Sequence, residues 1–222
     1  MNLGDFFSKK MKLNTVTVLL LFMSVVFVFA SPIPSIKSRL NNFSVQLFLK
    51  EYQKDFHPNV SFNEMIFVSI KHQRLYYLKG GKVQKYYDVS TSRFGVGSMK
   101  GSKKTPIGLH KIQNKIGVGC PMNSILKMGY CSGKIAKVIT EPVHGPNDHV
   151  TTRILWLNGM EEGINRGGKV DTYNRNIYIH GTVEEGLIGK RASHGCVRMK
   201  NTEVLELFNK VKVNCVVLIL NH

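Results

Sequence analysis

One cysteine and two histidines stand close together in the sequence, and their side chains are of the types found in nucleophilic sites. The segment Ile177 to Met199 reads IYIHGTVEEGLIGKRASHGCVRM, which contains His180, His194 and Cys196. A cysteine attacks as its thiolate, and because the pKa of a free thiol is about 8.5, a neighbouring imidazole must take the proton or stabilise the charge. Gly195 leaves backbone N–H groups unhindered, and such groups stabilise the oxyanion of a tetrahedral intermediate. The residues predict acyl transfer.

Two other interpretations of these residues stay open. Taken singly, a histidine or a cysteine is more often a buried structural residue than a catalytic one. His180, His194 and Cys196 also have the ligand types of a zinc site, although the sequence offers no convincing fourth ligand.

The elements that must position these residues are mostly strands. From Met65 onward the chain contains short runs rich in β-branched and aromatic residues, and Gly80-Gly81 between two of them predicts a β-hairpin. Further strands are predicted at HKI, KVIT, RILWL, RNIYIHG and VVLIL. One helix, with an apolar stripe from Val204 to Val211 and with Asn201 or Thr202 as its cap, is predicted after the cysteine. The domain is therefore predicted to be mainly β with a few helices.

The sequence HGT at 180–182, followed by SHGCVRM at 193–199, resembles the signature of the L,D-transpeptidase catalytic domain, also called YkuD-like. Upstream, an opening hairpin, a Val-Ser-Thr stretch and a Thr-Pro-Ile-Gly turn are similar to that family too. The resemblance spans Phe67 to Leu220. It implies a mixed-strand β-sandwich with a few helices.

The resemblance also implies roles for individual residues. Cys196 is expected to be the nucleophile and His180 its general base, with the backbone carbonyl of Gly181 orienting the imidazole. Gly195 and Cys196 are expected to supply oxyanion N–H groups.

Three further motif positions receive expected roles. His194 and Ser193 are expected to line the site. Arg198 falls where the family has a polar or basic residue near the substrate, and an arginine there can hold a carboxylate bidentately. An ordinary structural ion pair is the alternative for Arg198.

The reaction that the resemblance implies is attack on a peptidoglycan stem peptide, at the carbonyl of the L-centre of its diamino acid, with release of the terminal D-alanine. An amine of a neighbouring stem then accepts the acyl group and forms a three-to-three cross-link, whereas water as acceptor gives a carboxypeptidase. Neither a metal nor an organic cofactor is required. The alternative from another functional class is a wall-binding protein that has the fold without the activity.

The N-terminus has the pattern of an export signal. Lys9, Lys10 and Lys12 precede an uncharged apolar run from Leu13 to Ala30. Cleavage after Ala30 and retention as a membrane anchor are both compatible with this run, because a span needs about 17 to 25 residues. We expect a signal or anchor at 1–30, a helical spacer or packing arm at 31–64 and a catalytic domain at 65–222, placed in the periplasm or cell wall.

The chain is strongly basic, with a formal net charge of +17. Nucleic acid is disfavoured as a partner because the basic residues are scattered and no recognised binding motif accompanies them. An exported basic protein more naturally meets anionic lipid headgroups or acidic wall polymers. The sequence makes no prediction of the oligomeric state.

The other three cysteines lie outside the motif. One disulfide, between Cys120 and Cys131, and one buried thiol, Cys215, are expected, with three reduced cysteines as the alternative. The segment 114–150 that contains the first two matches no part of the family signature. We hypothesise that it forms a lid that selects the acceptor.

Overall fold

A computed structural model describes residues 36–127 and 129–222 of the chain. The predicted signal or anchor at 1–30 lies outside the described residues. The chain divides into an N-terminal unit, residues 1–41, and a compact unit, residues 42–222. No helix within the described part of the chain combines the length and apolar character that a membrane span requires.

The compact unit is built on ten strands, which pair by hydrogen bonds into one sheet. They are β1 (Glu64–Ser69), β2 (Arg74–Lys79), β3 (Lys82–Asp88), β4 (Gly108–Ile116), β5 (Ser124–Lys127), β6 (Tyr130–Ile135), β7 (Val150–Gly159), β8 (Tyr178–Thr182), β9 (Val197–Met199) and β10 (Val216–Leu220). Their order is β3-β2-β1-β10-β4-β7-β5-β6, with β8 paired to β7 and β9 paired to β8. Two pairs, β1 with β10 and β8 with β9, are parallel, so the sheet is mixed.

Local sequence explains most of these strands. Gly80 and Gly81 have φ values of +63° and +67°, which suit the two-residue turn of a hairpin, so the predicted β2–β3 hairpin is confirmed. The strand predicted at 137–140 is wrong. Ile139 makes only an isolated bridge to Glu184. The residues around Glu184 form a turn, not a strand, so the hydrogen-bonded pairing cannot continue into a ladder.

The core lies on both faces of the first strands, since alternate residues of a strand point to opposite sides. Ile66 and Val68 join a cluster that also contains Ile179 of β8 and Val197 of β9. The sheet therefore folds over on itself and brings β8 and β9 against β1 and β2. The predicted class, mainly β with a mixed sheet and a few helices, is confirmed.

Two α-helices accompany the strands among the residues that the structure describes. Helix α1 (Ile36–Phe56) lies within the segment 31–64, where a helical spacer or packing arm is expected, and its Leu49 packs in a second core cluster with Phe67 of β1 and Leu78 of β2. Helix α2 (Asn201–Lys210) follows β9 and buries the predicted apolar stripe. The predicted cap is wrong: Lys200 is the N-cap residue and makes no side-chain cap hydrogen bond.

The cysteines outside the motif behave as expected. Cys120, in the loop after β4, forms a disulfide with Cys131 of β6, and their Cα atoms are 6.2 Å apart. Cys215 is a buried free thiol. The disulfide ties the β5–β6 hairpin to the end of β4.

Candidate active site

The thiol of Cys196 is positioned by the parallel pair β8–β9. In the register of this pair Ile179 lies opposite Val197, so Cys196, one residue before β9, is level with Tyr178. The Tyr178 N–H donates to Cys196 Sγ at 3.4 Å, and Sγ is also 3.4 Å from the carbonyl oxygen of Asn176, to which it donates. Backbone groups therefore fix the sulfur, which is half-buried.

The turn before the thiol is held by its own residues. Ser193 Oγ donates to the carbonyl oxygen of Cys196 at 2.6 Å and accepts the Gly195 N–H at 3.2 Å. Gly195 has φ +131°, and a Cβ there would lie 3.2 Å from the Ile177 side chain and 3.4 Å from the backbone oxygen of Lys104. Only glycine suits this position.

The prediction that the Gly195 and Cys196 N–H groups both serve as oxyanion donors is therefore corrected in part. The Gly195 N–H already binds Ser193, so it is not free for an oxyanion. The Cys196 N–H has no hydrogen-bond partner among the described residues and stays available. Ser193 is almost completely buried and shapes the turn rather than facing a substrate.

His180 lies on β8, two residues after Tyr178, and is buried. Its Nδ1 donates to the carbonyl oxygen of Gly181 at 2.7 Å, as expected, and Nε2 has no hydrogen-bond partner in the described chain. Burial lowers the pKa of His180 to about 4, although the Gly181 carbonyl and the charge of Asp148 oppose this shift. The imidazole is thus neutral near pH 7 and its free nitrogen can accept a proton.

Gly181 is required by close packing. A Cβ at this position would lie 2.6 Å from Asn201 Oδ1 and 2.8 Å from the backbone oxygen of Thr151. Thr151 borders a β-bulge in β7, where Thr152 has φ +64°. Bulges of this kind re-aim neighbouring side chains and are common beside active sites.

The side chain of Asn201 joins the bulge to β8. The hydroxyls of Thr151 and Thr152 both donate to Asn201 Oδ1, and Asn201 Nδ2 donates to the carbonyl oxygen of Thr182 at 2.8 Å. Asn201 was predicted to cap α2, but this network uses its side chain instead.

The thiol is protonated in the resting site. Desolvation raises the pKa of Cys196 to about 11, and the Tyr178 N–H and the charges of Arg198 and Arg175 offset only part of that effect. Since the pKa of His180 lies near 4, the pair rests as thiol and neutral imidazole.

Asp148 is a site residue that sequence reasoning missed. Its carboxylate pairs with Arg198 and lies 3.1 Å from His194 Nδ1. Burial alone would raise the pKa of Asp148, but the charge of Arg198 and the His194 hydrogen bond lower it below its usual value. Nothing in the sequence PNDHV signals this role, because the contacts span about fifty residues of chain.

His194 is exposed and is held by two charged neighbours. Arg93 Nη2 lies 2.6 Å from its Nε2, and Asp148 lies at its Nδ1. Because arginine only donates, Nε2 must accept, and the proton sits on Nδ1. His194 therefore lines the rim of the site, and both of its nitrogens are occupied.

Arg198 does not have the expected substrate-binding geometry. Its side chain is 1% exposed, and its two terminal nitrogens bind Glu184, at 2.7 Å, and Asp148. A buried arginine whose terminal nitrogens already hold protein carboxylates has no open fork for a ligand. The structural ion pair, which was the alternative for this residue, describes it better.

Aromatic rings cluster around Tyr178, whose N–H binds the thiol. The Trp156 ring stacks on that of Tyr173, with centroids 4.4 Å apart, and meets Tyr178 edge-on at 5.2 Å. Tyr178 in turn lies 6.4 Å from the His180 ring. In the described part of the chain, no group of three or more His, Cys, Asp or Glu side chains is placed to hold a metal ion.

The L,D-transpeptidase catalytic domain model (YkuD) matches residues 63–219, which is most of the chain. The chain belongs to this L,D-transpeptidase family. The match includes both His180 and Cys196. It also includes the stretch at 90–93, which braces the cysteine turn because Ser90 bridges to Arg198 and Ser92 to Ser193.

A curated relative is similar over a shorter stretch. The putative L,D-transpeptidase YqjB of Bacillus subtilis is 51% identical over 48 residues, which are 22% of this chain and 27% of that protein. The matched part thus spans about a quarter of that relative's length.

Two solved structures that are named as L,D-transpeptidases show a more distant similarity to this chain. The L,D-transpeptidase of Enterococcus faecium is 20% identical, with a TM-score of 0.42, over 74% of this chain and 52% of that one. L,D-transpeptidase 3 of Mycobacterium tuberculosis, in complex with a faropenem-derived adduct, is 14% identical, with a TM-score of 0.44, over 71% and 60%.

Proposed function

We propose that this chain is a peptidoglycan L,D-transpeptidase that works through a thioester on Cys196. One observation carries the proposal. His180 is a buried, neutral imidazole on β8, two residues after Tyr178, whose N–H binds the thiol; its Nδ1–H is bound to Gly181 and its Nε2 is unpaired among the described residues. This is the arrangement of a general base poised to take a proton from a neighbouring nucleophile.

The chemistry follows in two steps. Cys196 Sγ attacks the carbonyl carbon of the stem-peptide bond as its proton passes to His180 Nε2, and the Cys196 N–H stabilises the oxyanion. The C–N bond then breaks, His180 returns the proton to the leaving amine of D-alanine, and a thioester remains. In the second step an acceptor amine attacks the thioester carbonyl and gives its proton to His180; the C–S bond then breaks, and His180 returns the proton to Cys196 Sγ, which re-forms the thiol.

The proposal also covers the cellular location of the protein and its partners. The substrate, a stem peptide, lies outside the cytoplasm, and the apolar run after Lys9, Lys10 and Lys12 favours export by a signal or anchor. The net charge of +17 favours contact with anionic wall or membrane surfaces.

The test follows turnover of a disaccharide-tetrapeptide by the purified full chain, using mass spectrometry. We expect release of D-alanine and formation of a cross-linked dimer, both absent in Cys196→Ala and retained in Cys215→Ala, which removes the other free thiol. D-alanine release without dimer would replace transpeptidation with carboxypeptidase action. A folded protein that binds wall but gives no Cys196-dependent product would overturn the enzymatic proposal.

A further inference from the structure

Charge is distributed unevenly along the chain. No Asp or Glu occurs between Asp88 and Glu141, whereas that interval contains nine Lys or Arg residues. It includes the loop 93–104, which reaches the cysteine turn, and the β5–β6 hairpin. One continuous segment, of which the loop 93–104 reaches the cysteine turn, therefore carries only positive charge.

Arg93 carries that charge to the rim of the thiol cleft. Its Nη2 binds His194 at 2.6 Å, two residues before Cys196, and its guanidinium lies 5.1 Å from the centroid of the Phe94 ring. These contacts hold the side chain in place while leaving most of its five N–H donors unused. No carboxylate in the described part of the chain pairs with Arg93.

Lys103 brings a second cation to the same place. Its Nζ lies 5.9 Å from the centroid of the Phe94 ring, and the backbone that follows it packs against Gly195. Neither Lys103 nor Lys104 has a carboxylate partner among the residues that the structure describes. Phe94 itself is 43% exposed, so an apolar ring and two unpaired cations face solvent together.

We propose that Arg93 and Lys103, around the exposed ring of Phe94, form an anion-binding subsite that selects acyl-donor peptides whose internal residues carry a free carboxylate. The inference rests on the proposed function, because it names the form of stem peptide that this site takes. Stem peptides carry carboxyl groups on their internal residues, and amidation removes that charge. Free acids are therefore the preferred donors.

A local carboxylate fits better than a long polyanion. Arg93 is fixed against His194, inside the rim of the site, and a guanidinium fork matches one planar carboxylate. A polymer of phosphates needs cations spread along a track rather than two beside one ring.

The test compares two tetrapeptides, L-Ala-D-isoGlu-diaminopimelate-D-Ala as the free acid and the same peptide with its internal carboxyls amidated. Release of D-alanine by the full chain is measured as kcat/KM. We expect the free acid to be preferred by about tenfold, the effect of one charge-assisted hydrogen bond. Arg93→Gln/Lys103→Gln should lose most of this preference, and added salt should reduce it.

The matched control is Lys79→Gln/Lys82→Gln, a cross-strand pair on the β2–β3 hairpin, at the far end of the strand order. It removes the same two positive charges and should retain the preference. If the double variant slows both peptides equally, Arg93 acts only through His194 and the subsite is overturned. Equal use of both peptides by the wild type, or competition by poly(glycerol phosphate) without any effect of amidation, would overturn it too. Absence of any Cys196-dependent release would instead defeat the proposed function.

Discussion

His180 donates its Nδ1 proton to the carbonyl oxygen of Gly181, the next residue in the chain, at 2.7 Å. This bond fixes the tautomer and leaves Nε2 as the basic nitrogen. With the pKa of His180 near 4 and that of Cys196 near 11, the two groups rest uncharged. For the proposed Cys196 mechanism, we therefore expect activation of the thiol to accompany attack instead of preceding it as a stored thiolate–imidazolium pair.

The first prediction concerns the reactivity of the thiol toward iodoacetamide. Because only the thiolate reacts, the alkylation rate of Cys196 should be low near pH 7 and should rise steadily above pH 9 toward the pKa of about 11. Mass spectrometry of the alkylated peptide measures this rate.

The control separates the two free thiols. Cys196→Ser reports alkylation of Cys215, whose pKa is also raised, to about 12, by burial. A rate plateau of Cys196 between pH 5 and pH 9 would contradict the prediction, because a plateau marks an ion pair formed at low pH.

The second prediction concerns the free energy of unfolding as a function of pH. Burial lowers the pKa of both His110 and His180 from 6.5 to about 4. Between these values the unfolded chain binds more protons than the folded protein, so stability rises with pH. Acidification from pH 7 to pH 4 should cost about 3 kcal/mol for each histidine, as measured by urea unfolding.

The variant His110→Gln measures how much one of the two histidines contributes to this pH dependence. His110 contacts Gly108 and Thr172 and lies outside the proposed catalytic groups. His110→Gln should reduce the slope of unfolding free energy against pH by about half, whatever its effect on stability at pH 7. An unchanged slope would show that the buried histidines do not govern acid stability.

Local sequence was enough to predict the parts of the site that lie within one segment. His180 and Cys196 stand sixteen residues apart, His180 on β8 and Cys196 directly before the neighbouring strand β9, and their motif fixes residue type and spacing together. The Gly80-Gly81 hairpin and the stripe of α2 were predictable for the same reason, since turn chemistry and helical periodicity act over a few residues.

The rest of the site depends on contacts that sequence spacing does not show. Asp148 reaches Arg198 and His194 across about fifty residues, and Arg93 reaches His194 across a hundred. The role of Arg198 was misassigned because a motif position does not reveal burial. Gly195 was misassigned in part because Ser193, inside the same turn, takes its N–H.

The third prediction concerns the buried ion pair. Glu184 is 2% exposed, and Arg198 neutralises it at 2.7 Å. Arg198→Met removes the buried cation and leaves that carboxylate with the Gly145 N–H and the half-exposed His144 ring, which should lower the free energy of unfolding by about 3 to 5 kcal/mol. Urea unfolding at pH 7 measures the change.

The control for this variant is a surface pair. Lys85 and Glu206 pair at 2.5 Å with 45% and 35% of their side chains exposed. Lys85→Met should cost less than about 1 kcal/mol, because solvent screens that pair. Combining Arg198→Met with Glu184→Gln should cost less than the sum of the single changes, since the second removes the orphaned charge. Equal losses for Arg198→Met and Lys85→Met would contradict the prediction.

The fourth prediction concerns the β5–β6 hairpin. Only Ile125 of β5 pairs with β7, opposite Thr151, so the ladder alone holds this hairpin weakly to the sheet. The Cys120–Cys131 disulfide closes a short loop, with a sequence separation of 11, and such a loop contributes about 3 kcal/mol. Reduction should therefore speed hydrogen exchange in β6 while leaving β1 and β2 protected. Cys120→Ser/Cys131→Ser should reproduce this pattern and show no further change on reduction, whereas uniform protection in the reduced protein would show that side-chain packing alone secures the hairpin.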